Sequence, residues 1–175
     1  MSPFRPDLVD VWIFRSTRAG AEGAASDRGP SDIEILLLRR SPGRILPGLW
    51  QCVSGSLEAD ETPVAGALRE LQEETGFGAS QIAGFFDLDQ VNQFHEPSVQ
   101  AILTSAIFAA RVTAEAEPVL SHEHDSMRWV SLAEALELAI WPAYRESIRR
   151  IADNLTDPER AVWFKLTLQG ERARR

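Results

Sequence analysis

Three glutamates, Glu70, Glu73 and Glu74, stand at positions i, i+3 and i+4 of the run RELQEE. A helix through them projects three carboxylates from an arc of about 100° on one face. Like charges at that spacing repel, so the patch is costly unless a cation sits among them, and hard oxygen donors in this number select Mg²⁺ or Mn²⁺. Such ions bridge phosphate oxygens, offset developing negative charge and lower the pKa of an attacking water. Glu73 and Glu74 are the first candidate ligands and Glu70 the next. Arg69, directly before them, is suited to pair with carboxylates such as Glu61 and fix their rotamers. Upstream, Gly55 lets the chain pass close to metal or phosphate, with a backbone carbonyl as a further ligand. A charge run is ordinarily a solvated helix face. The registers of Gly55, Glu61 and Arg69 argue against that here.

These side chains need a helix to carry them and strands to hold it. Residues 62 to 75, TPVAGALRELQEET, supply the helix: Thr62 can cap it, Pro63 fits its first turn, and Gly76 can end it in a left-handed conformation. Val64, Ala67, Leu68 and Leu71 then share one apolar face. Strands are expected at Leu8 to Phe14, Ile33 to Leu38, Leu49 to Val53, Ala83 to Leu88, Val99 to Val112 and Met127 to Val130. The glycine-rich segment near 18–32 reads as a long mobile loop, and DQVNQFHEPS as a loop near the substrate. Ser131 caps a helix through Leu138, and another follows Pro142 from about Ala143 to Ile151. The tail near 157–175 is open between strand, helix and docked arm.

With 175 residues, 44% of them hydrophobic, the chain is long enough to bury a core and is expected to form a single domain over 1–175. It lacks the pattern of a secretory signal and any stretch long enough to span a membrane, so a cytoplasmic protein without membrane attachment is expected. The lone Cys52, inside an apolar run, excludes an internal disulfide and reads as a buried thiol. A net charge of -8 argues against binding a nucleic-acid backbone. A small polyanionic substrate fits if divalent metals supply the positive charge.

Read whole, GSLEADETPVAGALRELQEETGF runs as glycine, five residues, glutamate, seven residues, Arg-Glu, an aliphatic residue, any residue, Glu-Glu, any residue, glycine and an apolar residue. Over these 23 residues, Gly55 to Phe77, the chain resembles the Nudix box without a departure. The resemblance implies an α/β fold, an α/β/α sandwich around a mixed central sheet. It also implies a metal-dependent pyrophosphohydrolase acting on a small phosphorylated metabolite, with a homodimer as a common assembly. Ahead of the box LWQCVSGS, and near the C-terminus SHEHDSMRWVSLAEALELAIWPAYRESI, look like the bacterial dihydroneopterin triphosphate and dATP pyrophosphohydrolases. In that subgroup a loop glutamate before a histidine serves as an extra ligand or general base, which makes Glu123 the matching candidate. His122 and His124 are expected to stand behind the ligands or face solvent, because Mg²⁺ prefers oxygen. Arg39 and Arg40 lie where many family members place a phosphate-binding arginine. Trp50, Phe94 and Trp141 are candidates to stack on a base or pterin, with Trp50 and Phe94 favoured.

Dihydroneopterin triphosphate or a (d)NTP is the leading substrate class, ahead of dinucleoside polyphosphates, ADP-ribose and nucleotide sugars, because the box does not encode the substrate loops. A nucleotide-sensing module without hydrolysis predicts losses among Arg69, Glu70, Glu73 and Glu74, and none occurs. An isomerase of the isopentenyl diphosphate type, for which Cys52 would matter, predicts a degenerate box.

Overall fold

The structure, a computed structural model, describes residues 4–17 and 32–173. It is built on one mixed sheet of eight strands: β1 (Phe4–Ser16), β2 (Ile33–Arg40), β3 (Trp50–Gln51), β4 (Val53–Ser56), β5 (Ile82–Glu96), β6 (Ala101–Val112), β7 (His124–Ser131) and β8 (Lys165–Leu166). The main path runs β3-β2-β1-β6-β5-β8, with β4 added to β1 and β7 to β2. Among the described residues only β1 and β6 pair in parallel; the other pairs are antiparallel.

Alternation along the buried strands divides the core in two. Val9, Val11 and Ile13 of β1, with Leu36 and Leu38 of β2, face helix α1 (Pro63–Thr75) through Ala67 and Leu71. Trp12 and Phe14 of β1, with Ile35 and Leu37 of β2, face a second helical layer. This layer comprises α2 (Leu132–Leu138), α3 (Pro142–Arg150), a π turn over Ile151–Leu155 and α4 (Pro158–Phe164). Strands buried on both faces read as continuous apolar runs, as IEILLL does. The sandwich expected from the resemblance is therefore present.

Three expectations need correction. DQVNQFHEPS is not a loop at its start: β5 continues to Glu96, with Val91 to Glu96 paired against β6, and β6 begins at Ala101, leaving a short turn. Val91 and Phe94 are exposed there, so no apolar face marks the strand, and its continuity rests on backbone pairing. A bulge between Asp87 and Val91, with Asp89 at φ 50°, separates the inner half from the outer. Arg150 of α3 holds that bulge through Leu88 O and Asp89 O at 3.0 and 2.8 Å. Leu49 to Val53 is two short strands that change partner, β3 on β2 and β4 on β1. The helix after Pro142 passes Ile151 into the π turn. The open tail resolves into α4 and β8, the latter pairing with Phe85 and Phe86 of β5. Apart from Asp32, the loop near 18–32 lies outside the described residues. Among the described residues no helix is long and apolar enough to cross a membrane.

Candidate active site

Helix α1 begins where the sequence places it. Thr62 Oγ1 accepts from Ala65 N at 3.3 Å, Pro63 opens the first turn, and Gly76, at φ 74°, closes the last by donating to Gln72 O at 2.8 Å. Burying Leu71 and Ala67 against β1 and β2 turns Arg69, Glu70, Glu73 and Glu74 toward β4 and the chain after it. Arg69 organises this edge. Its guanidinium bonds Glu61 at 2.9 and 3.0 Å, Glu70 at 2.8 Å, Glu73 at 3.2 Å and Ser56 O at 2.9 Å. The pairing expected between Arg69 and Glu61 is present; it holds the Glu61 carboxyl below its ordinary range and the guanidinium firmly protonated.

Gly55 pairs with Val9 in the sheet and passes so close to Glu70 that a Cβ would fall 1.9 Å from its carboxyl carbon. Any side chain there would displace Glu70. Glu74 is 3% exposed, its Oε1 3.4 Å from Ser54 N and its Oε2 without a hydrogen bond. Burial first, then the charge of Glu70, pushes its pKa up to about 8. Glu70 is also raised, chiefly by burial and against the pull of Arg69, with Glu73 and Glu123 adding to the rise.

Glu123 lies in the turn before β7, which docks on the end of α1 through Ser121 N to Glu74 O (3.2 Å) and Val119 N to Thr75 O (2.9 Å). Its charge reaches Glu70 and Glu74 on α1. Its carboxylate pairs with Arg44 at 3.0 Å, and Arg44 also contacts His122 Nε2 at 2.7 Å. Arg44 was not legible beforehand, since a lone arginine in SPGR carries no spacing signal. His124 is buried, 3.6 Å from Glu74, and burial, then Arg40, lowers its pKa to about 4.

Arg40 turns inward. It bonds Ile45 O at 2.6 Å and Gln51 Oε1 at 3.3 Å, and its charge acts on Glu74 and His124. Arg39 instead pairs with Asp125 at 2.7 Å. Trp50 packs on the core beside α3, flanked by the guanidinium groups of Arg39 and Arg128 at 5.8 Å each. Phe94 lies on the outer half of β5, 45% exposed, and Trp141 is exposed ahead of α3. Cys52 is buried, and burial pushes its thiol well above the ordinary range, which removes it as a nucleophile.

Among the described residues no three carboxylate, imidazole or thiol groups stand close enough to enclose a cation as they are held. Arg69 draws Glu70 and Glu73 to itself, and Arg44 holds Glu123. The donor set nevertheless fits a divalent ion. It is all oxygen, burial and then neighbouring carboxylates raise the pKa of Glu74, it leaves a buried Glu74 oxygen unpartnered, and it needs glycine at 55.

A NUDIX domain model matches residues 24–151. The chain is 38% identical over 125 residues to an octanoyltransferase of Myxococcus xanthus, covering 70% of this chain but 33% of that protein. It is 32% identical over 131 residues to the dihydroneopterin triphosphate diphosphatase of Haemophilus influenzae, covering 69% and 80%. An Ap4A hydrolase of C. elegans shares the fold, with a TM-score of 0.65 at 22% identity over 83% of this chain and 94% of that one. Helix, carboxylates, glycine and sandwich thus agree with the match over most of the chain, and the protein belongs to the NUDIX family as a Nudix pyrophosphohydrolase.

Proposed function

We propose that the enzyme uses Mg²⁺, replaceable by Mn²⁺, to hydrolyse a pyrophosphate bond in dihydroneopterin triphosphate or a (d)NTP. One observation carries the reading: around Gly55 the carboxylates of Glu70 and Glu74 are held partly or fully buried, Glu70 and Glu123 add negative charge against Glu74, and Arg40 and Arg44 stand beside them. Glu70, Glu73, Glu74 and the carbonyl of Gly55 would hold the ion, with Glu123 as a further ligand or the base. A divalent ion there supplies charge neutralisation at the phosphate oxygens and a more acidic water.

The chain's own groups do the rest. Arg69 keeps the carboxylates of Glu61 and Glu70 in fixed rotamers, so little reorganisation is needed when substrate arrives. Arg40 and Arg44 present guanidinium groups to the polyphosphate; Arg44 can exchange Glu123 for a phosphate oxygen, which frees Glu123 to accept a proton. Arg39, committed to Asp125, serves the surface more than the substrate. Trp50 is the nearer candidate to stack on the heterocycle, because it pairs with Arg39, the residue next to Arg40, in the β2–β3 ladder, while Phe94 would reach only a large substrate.

The named relatives carry the names of different substrates, dihydroneopterin triphosphate in one and Ap4A in another, and the likeness of SHEHDSMRW to the first subgroup favours it. Dinucleoside polyphosphates, ADP-ribose and nucleotide sugars are the alternatives. The test is pyrophosphate and phosphate release from a panel of these compounds with Mg²⁺, beside Glu73→Gln. Fastest release from dihydroneopterin triphosphate or a (d)NTP, dependent on metal and Glu73, is expected; preference for Ap4A or ADP-ribose would overturn the substrate, and binding without turnover would favour a sensor. A cytoplasmic setting and a homodimer belong to the same reading, and light scattering on the purified chain tests the dimer.

A further inference from the structure

Two buried polar groups face each other behind the carboxylate edge, and neither has another side-chain partner on that side. Glu74 Oε2 and His124 Nδ1 are 3.6 Å apart, their side chains 3% and 2% exposed. Neither atom has a hydrogen bond, and Nε2 of the same imidazole has none either. Buried polar atoms without partners are rare in folded proteins, so a facing pair points to a contact that completes itself. The gap exceeds an ordinary N–H···O distance by only about 0.5 Å.

The backbone fixes both sides of this contact. His124 begins β7 opposite Arg40, just past a register shift in the β2–β7 ladder. The turn before it is tied to α1 by Ser121 N to Glu74 O at 3.2 Å and closed by His124 N to Ser121 O at 3.3 Å. The imidazole is thereby carried to the end of the same helix that carries Glu74. Its place in the chain is set by that turn and not by the spacing of the box.

We propose that His124 is a positioning residue for Glu74: its Nδ1–H donates to Oε2 and aims the carboxylate at a divalent ion held with Glu70 and Glu73. The proposal rests on the metal reading of Glu74. Ser54 N then occupies Oε1 from one side and His124 occupies Oε2 from the other, which leaves one rotamer and directs the remaining lone pairs outward. Imidazole nitrogen is a poor ligand for a hard ion, which suits it to stand behind an oxygen ligand.

The experiment compares His124→Asn, whose amide N–H₂ can replace Nδ1–H, with His124→Leu. Mn²⁺ binding to the full chain without substrate is followed by electron paramagnetic resonance and calorimetry, with thermal midpoints measured metal-free. His124→Leu is expected to weaken Mn²⁺ about 10- to 100-fold and His124→Asn much less, at similar metal-free midpoints. Equal affinity in all three proteins, or equal losses that track the midpoint, would overturn the proposal. Nitrogen-15 NMR of the metal-free wild type at pH 9, where the Glu74 carboxylate is ionised, gives a second reading that needs no variant to fold: protonation at Nδ1 is expected, and an Nε2-protonated ring would overturn it. Failure of the underlying metal reading looks different, as Mn²⁺ binding that ignores Glu74→Gln while the NMR still finds Nδ1–H.

Discussion

The two helical layers are attached to the sheet by different means. On one face α1 packs with small or single-branched side chains, Ala67 and Leu71 fully buried and Val64 and Leu68 partly so, and its outer edge is clamped by the Arg69 network. On the other face the short helices close over large rings: Trp12 meets Tyr144 edge-on at 5.3 Å, and Phe14 meets Phe86 at 6.1 Å. The first layer carries the repelling carboxylates over rings of its own, Phe85 stacking on Phe108 at 5.4 Å, and the second buries the larger Trp12 ring. Both faces of the sheet therefore supply apolar burial, and the cluster of repelling carboxylates is confined to the outer edge of α1.

Four tests break or sharpen this contrast. The largest effect is on chemistry alone: Glu73→Gln should lower kcat with Mg²⁺ on the order of 10³-fold, the several kcal/mol that a metal contributes at developing charge. Its metal-free thermal midpoint should hold, since Glu73 is exposed. A fall in midpoint without loss of rate would erase the division between the layers.

Next is Trp12→Ala in the aromatic layer, expected to cost about 3–5 kcal/mol in urea unfolding, against about 2–3 for Leu71→Ala under α1. The reverse order would show that α1 is the better-packed layer.

Asp10 gives a pH-dependent test. It lies on the Trp12 face of β1, 5% exposed, and burial raises its pKa from 3.8 to about 6 against the hydroxyls of Ser54 and Ser105. The folded state therefore holds a proton that the unfolded state has released, so this group's contribution to stability falls as pH rises from about 4 to 6 and stays low above that. Asp10→Asn should stabilise the protein by up to about 3 kcal/mol at pH 8 and by almost nothing at pH 3.5. Unfolding curves at the two pH values check this, and a gain of equal size at both would exclude a buried charge as the cause.

The smallest effect is Arg39→Ala, which removes a surface pair with Asp125 and should change stability by less than about 1 kcal/mol. Arg40→Ala, beside it in sequence, should raise KM instead. A steady-state comparison of the two variants shows which arginine the substrate meets.

Much of the α1 layer was legible because every signal it uses is local. Thr62, Pro63 and Gly76 bound the helix, its apolar stripe recurs at helical spacing, and Arg69, Glu70, Glu73 and Glu74 lie within two turns. Glu123 was found through its neighbours in SHEHDSMRW, and the structure turns it toward the same carboxylates. The outer half of β5 was missed because Val91 and Phe94 are exposed, so no buried face announced the strand. Arg44 was missed because nothing in SPGR distinguishes a surface cation from one folded over Glu123.

By itself, then, the sequence determined the carboxylate-bearing helix, its caps and its carboxylate face, since these follow from short-range periodicity and backbone preference, while the sandwich class came through the resemblance of the box. Only the tertiary structure decided which arginine turns inward, that Asp10 is buried beside Ser54 and Ser105, and that the His124 ring lies 3.6 Å from Glu74. Those outcomes depend on strand register and on turns that bring together residues far apart in the chain, where a shift of one residue sends a side chain to the opposite face of the sheet.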